Sequence, residues 1–158
     1  MNTECNRIAD QLASTLNGEA WYGDSLQKIL QGVTAAQACS RPIPCAHSIW
    51  ELVAHVEVWC GLAEGAARGV PMPAWSTMSK DQDWPPVAGS GQQAWEQAVA
   101  SFFASHLKLT EAIRGFEDER LGSTVPGRKY DFYKLFQGMT QHAIYHGGQI
   151  ALLKKALG

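Results

Sequence analysis

The chain has no Cys-x-x-Cys pair, no long apolar run, no block of like charge and no glycine-rich phosphate loop. Each absence excludes a class. The four cysteines, Cys5, Cys39, Cys45 and Cys60, do not have zinc-ribbon spacing. In a cytosolic chain with an ample core they read as free thiols rather than a disulfide framework. The formal net charge of -2 gives no electrostatic footprint for nucleic acid or an anionic membrane. No apolar stretch approaches the roughly 20 residues of a membrane span. The start, Met1-Asn2-Thr3-Glu4-Cys5, has neither the basic flank nor the apolar centre of a signal peptide. The expectation is a soluble, cytoplasmic protein with no nucleic-acid or membrane partner. No serine or cysteine nucleophile motif narrows the chemistry further.

What is present is helical periodicity nearly throughout. With 158 residues, 46% of them hydrophobic, the chain has the size of one domain, 1–158, with a real core. A first helix is expected from about Thr3 to Leu16, with Ile8, Leu12 and Leu16 inward, ending at Asn17-Gly18. A short piece follows over Asp24 to Gln31, with Asp24 as its N-cap. Residues 34–47, with Pro42 and Pro44, read as a connector with one helical turn at Thr34. Ser48-x-x-Glu51 is a capping box that opens the second long helix, which runs to about Ala67 on a stripe of Ile49, Leu52, Val53, Val56, Cys60 and Ala63. Residues 68–90 hold four prolines and form the longest connection. Ser90-x-x-Gln93 suggests the cap of a third helix ending near Gly115, with Trp95, Val99, Phe102, His106, Leu109 and Ile113 inward. After a loop over 116–130, a fourth helix runs from about Asp131 to Leu157. The expected fold class is all-α: a four-helix bundle with a long crossover between the second and third helices.

His142 and His146 stand out within the last helix. Four residues make about one turn, so both rings leave one face. That face is the apolar one: Leu135, Met139, His142, His146, Gln149 and Leu153 follow 4-3-4-3-4 spacing. Two neutral imidazoles bound for a core need partners, and a divalent metal is the simplest one that serves both. A third ligand is needed. His55 on the second helix and His106 on the third are both open on position alone, with His55 ranked first; His47 is placed too far along the axis. Gln149 either orients a ligand ring or bonds the backbone in the core. Gly147-Gly148 predict the close approach of a neighbouring helix or of a substrate, with helix packing ranked first. Trp59 and Tyr145 are core-filling residues that could instead line a pocket. Cys60 is a small core residue, and Glu51 is explained by its capping box. Trp75 and Trp84 in the proline-rich connection fold over the bundle end, form a lid or make a dimer contact.

Ser48-Ile49-Trp50-Glu51-Leu52-Val53-Ala54-His55-Val56, followed by His142-x-x-x-His146-x-x-Gln149-Ile150, resembles the DinB-like superfamily, which includes thiol-dependent S-transferases. Gly18 to Trp21 adds the short Gly-Glu-Ala-Trp segment, so the resemblance spans the whole chain. It implies a four-helix bundle holding a divalent metal, commonly nickel or zinc, through His55, His142 and His146. It also implies, for some members, transfer of a low-molecular-weight thiol such as bacillithiol or mycothiol. Three imidazoles leave the metal its full charge and open positions for water or substrate. The expected function is a metal-dependent thiol transferase or hydrolase acting on a small molecule, with a homodimer as its expected assembly. The alternative is a non-enzymatic stress or binding protein in which the metal only ties two helices together. A cleft that reaches the histidines favours the enzyme; a sealed site favours the tie.

Overall fold

A computed structural model describes residues 3–87 and 89–158. The chain forms α1 (Thr3–Asn17), α2 (Leu26–Leu30), α3 (Ala35–Cys39), α4 (Ile49–Ala67), α5 (Lys80–Asp83), α6 (Gln92–Arg114) and α7 (Phe132–Leu157), with a 3-10 turn at Asp118–Arg120. Among the described residues there is no strand, only isolated bridges at Ala20–Gly23 and Thr124–Asp131. No helix among them is long and apolar enough to cross a membrane. All four cysteines are free, Cys5 and Cys60 within the core.

The helix starts follow from side-chain acceptors that satisfy orphan backbone donors. At α4 the expected box is present: the Ser48 hydroxyl accepts from Glu51 N at 3.2 Å, and the Glu51 carboxylate accepts from Ser48 N at 2.7 Å. Thr34 and Gln37 form a second box on α3. The Asp131 carboxylate caps α7 by accepting from Lys134 N at 2.8 Å. At α1 the acceptor comes from far along the chain: Asp118 takes the N–H groups of Glu4 and Cys5 at 3.0 and 2.8 Å. Two expected caps are corrected. Ser25, not Asp24, holds the N-cap position of α2, and its side chain makes no capping bond. Gly91, not Ser90, precedes α6, where a positive φ of 86° turns the chain into the helix.

Four long helices enclose the core. α1 packs on α6 and α7, and α4 packs on the same two from the other side. α4 is buried along most of its circumference, through Ile49, Trp50, Leu52, Val53, His55, Val56, Trp59 and Cys60. Each large apolar side chain so buried contributes about 1.5–3 kcal/mol. Trp50 meets Trp95 of α6 at a ring separation of 5.2 Å. Phe116, Phe132 and Phe136 close one end with separations of 4.6 to 5.6 Å. On the α6 stripe Val99 is only half-buried, while Trp95, Phe102, His106, Leu109 and Ile113 are buried.

The short helices brace this frame. α2 lies on α7, and its last carbonyls are capped by the Lys154 amine at 2.9 Å from Ile29 O and 2.6 Å from Gln31 O. Leu26 of α2 sits directly over Gly147: a β-carbon there would lie 3.0 Å from Leu26 Cδ2. Gly148 has open space instead, so the expected close neighbour holds for one glycine of the pair and not the other. The long connection, which contains α5, is pinned to the 116–130 loop. Met72 N donates to Pro126 O at 2.9 Å, and Arg128 Nη1 donates to Pro73 O. Gly127, at φ +81°, makes this possible, since any β-carbon would collide with the Met72 carbonyl oxygen.

Candidate metal centre

α4 and α7 bring three histidines to one point. The ligating-type nitrogens of His55, His142 and His146 all lie within 4.8 Å of one another, and His55 Nε2 is 3.0 Å from His142 Nε2. Among the described residues no other group of three histidine, cysteine or acidic side chains gathers this way. His106, the other candidate for third position, is elsewhere in the core. It is fully buried, its Nδ1 donates to Phe102 O at 3.0 Å, and its ring packs on Phe102 at 4.4 Å. It does not line the cavity beside the cluster.

The tautomers follow from the outer bonds. His55 Nδ1 is 2.7 Å from the Asp83 carbonyl, which can only accept, so this nitrogen carries the proton. Its Nε2 lone pair then faces the cluster. Gln149 Oε1, 2.8 Å from His146 Nδ1, does the same for the second ring. This is the ring-orienting partner that ligating histidines characteristically have. His142 Nδ1 has no hydrogen-bond partner although it is buried. Burial pushes all three pKa values below the ordinary histidine range. His142 falls to about 3, with the nearby His146, His55 and His106 adding to the burial effect. For His55 the bond and charge of Asp83 oppose the shift, and for His146 the Gln149 bond opposes it. The rings are therefore neutral at pH 7, with lone pairs available. Three neutral imidazoles with converging nitrogens fit a borderline divalent ion.

The long connection supplies what the spacing of the histidines did not reveal. α5 ends at Asp83, whose carboxylate accepts from Trp59 Nε1 at 2.8 Å and approaches His55 Nδ1 at 3.4 Å. Trp84 lies between two imidazoles, 3.8 Å from the His55 ring and 3.6 Å from the His47 ring, both within 7° of parallel. His47, placed too far away by its sequence position, thus reaches the site through Trp84. The signal that could have found this segment is Ser79-x-x-Gln82, a capping box of the same form as Ser48-x-x-Glu51. Trp75 packs on Trp59 at 5.2 Å and under the Arg128 guanidinium at 4.8 Å. Both tryptophans cover the flank of the site.

A cavity of about 350 Å³ opens against this cluster, lined at its inner end by His55, His142, Trp59 and Asp83. Trp59 is therefore a wall residue as well as a core one. Tyr145 is neither: it is 64% exposed, outside the cavity, with only its ring edge against His146 at 4.9 Å.

No curated protein and no solved structure matches the chain. The model of the DinB superfamily matches residues 20–150, a span that holds all three histidines, Gln149 and the strap that carries Asp83 and Trp84. The converging histidines and the extent of that match lead to one assignment: the chain belongs to the DinB superfamily.

Proposed function

We propose that this protein is a metal-dependent enzyme acting on a small molecule, built as a four-helix bundle of α1, α4, α6 and α7 with residues 68–91 as its crossover. His55, His142 and His146 would hold one divalent ion, nickel or zinc. The observation that carries the reading is the cavity of about 350 Å³ that reaches His55 and His142 from outside. A tie between helices has no use for such an opening, and a closed structural site would use a fourth protein ligand.

When bound, the ion would supply a positive charge that acidifies a small thiol or a water and polarises the group it attacks. Thiol transfer is the first form of the reading, with a low-molecular-weight thiol such as bacillithiol or mycothiol as co-substrate, and hydrolysis the second. The protein's own contribution is to fix the rings. Asp83 and Gln149 hold the protons of His55 and His146 on the outer nitrogens, and Trp84 and Trp75 exclude water from one flank. The Asp83 carboxylate lines the cavity as an acceptor for a donor group on the substrate. Exposed Trp21, Tyr145 and Leu152 support a homodimer as part of the same proposal; sedimentation at micromolar concentration, reading one chain or two, decides it.

The test is elemental analysis of untagged protein beside His142→Ala, followed by thiol-conjugation and hydrolysis screens on the loaded chain. About one nickel or zinc ion per chain, absent from the variant, and a turnover lost in His55→Ala is the expected result. No metal after reconstitution, or a loaded chain inert in every screen, overturns the proposal.

A further inference from the structure

Charge is distributed unevenly along the cavity. On α7, Lys134, Gly138 and His142 follow one another at intervals of four and all line the same wall. Eight helical residues rise about 12 Å, so the lysine and the histidine mark two ends of an elongated space. His142 and the Asp83 carboxylate stand at the inner end. From the histidine end outward the walls are apolar, starting with Trp59 and continuing with Trp75, Leu135 and Met139. Midway is Gly138, where a β-carbon would meet no protein atom within 4 Å. A glycine inside a helix is unfavourable on its own account, and here no neighbouring side chain or backbone requires it. What it leaves is room in the cavity.

Lys134 is exposed and has no carboxylate partner among the described residues; its amine lies 5.9 Å from the Tyr130 ring. Asp83 is already engaged by Trp59 and His55. An anionic group on a ligand is thus attracted by the free amine at the outer end and repelled by Asp83 at the inner one. The tryptophan, leucine and methionine walls favour a flat apolar body between them.

We propose that the cavity selects an aromatic carboxylate, with its carboxylate paired to Lys134, its ring over Gly138 and its other end toward the three histidines. This rests on the reading of the site as an enzyme's for its orientation, but the pairing with Lys134 needs no metal. Charge therefore sets which end of the substrate meets the reacting centre.

Isothermal titration calorimetry with 4-phenylbutyrate and its neutral amide, 4-phenylbutyramide, tests it on zinc-loaded and metal-free full-length chain. The carboxylate should bind about fivefold more tightly than the amide in both states, the scale of a partly exposed ion pair. Lys134→Gln should remove that preference and leave the amide affinity unchanged. Gly138→Leu should abolish binding of both, and Gly138→Ala should weaken both in a chain that melts no lower than the parent. Equal affinity for the two probes, or no binding of either, overturns the proposal. So does a preference that survives Lys134→Gln or vanishes with the metal, since the carboxylate then sits on the ion. Metal content measured on the same samples separates the two ideas: a chain that takes up no zinc on reconstitution yet keeps a Lys134-dependent preference sinks the metal reading and keeps this one.

Discussion

Two of the three clustered histidines carry their protons away from one another, each held by a different acceptor: a backbone carbonyl at His55 and the Gln149 amide at His146. The amide can be removed without touching the histidines. Gln149→Ala frees the His146 ring to rotate and should lower metal affinity about 10- to 100-fold, read by competition with a chromophoric chelator. An unchanged affinity would assign Gln149 to packing alone. Gly138 offers the opposite kind of change. Gly138→Ala adds a methyl to open space and removes a flexible residue from a helix interior, so thermal melts should show a stabilisation of up to about 1 kcal/mol.

At the scale of elements, the site depends on two helices that share no sequence neighbourhood. His55 comes from α4, and the other two rings come from α7. An ion held among them would bind the folded state and not the unfolded one, so it would stabilise by mass action. At a free concentration a hundred times Kd the gain is about 2.7 kcal/mol. Chelation should therefore lower Tm by several degrees in the parent and leave His142→Ala unmoved. An equal melt before and after verified metal removal would refute a bridge between α4 and α7. The α5 strap is the second element-scale feature. Local sequence carried its capping box at Ser79 and Gln82, but Asp83 meets His55 across 28 positions of chain, a pairing that the pinning of Met72, Pro73 and Gly127 creates.

For the molecule as a whole, buried histidines make acid the destabilising direction. His106 is fully buried and its pKa is pushed down to about 4, chiefly by burial; an unfolded histidine titrates near 6.5. Between those values the unfolded chain binds a proton that the folded one refuses. Stability is then full above about pH 6.5 and is lost as pH falls toward 4, by about 1.4 kcal/mol per unit for this one ring and roughly 3 kcal/mol in total. His142 acts in the same sense, with a pKa pushed to about 3. Urea denaturation of the metal-free chain at pH 7.5, 6.5, 5.5 and 4.5 should show this decline, with a shallower slope in His106→Leu. A variant with the parent slope would mean that His106 is not held neutral by the fold.

The sequence by itself determined the helices and one face of the site. Period-3.6 apolar stripes dictate which side of each long helix is buried, and a spacing of four puts His142 and His146 side by side whatever surrounds them. Ser48 and Glu51 set the start of α4 because their bonds are local, between residues three apart. His55 and His106 were not separable by such rules, since both lie on inward parts of their helices. Only the packing of α4 and α7 on one another turned His55 toward the pair and left His106 bonded to Phe102. The tertiary structure also decided that Trp84 lies between His47 and His55, that Gly147 and not its neighbour takes the close contact, and that an open cavity reaches the histidines. The physical reason is one of range: a turn or a cap is fixed by bonds within a few residues, whereas a wall, a strap or a cavity exists only where distant segments meet.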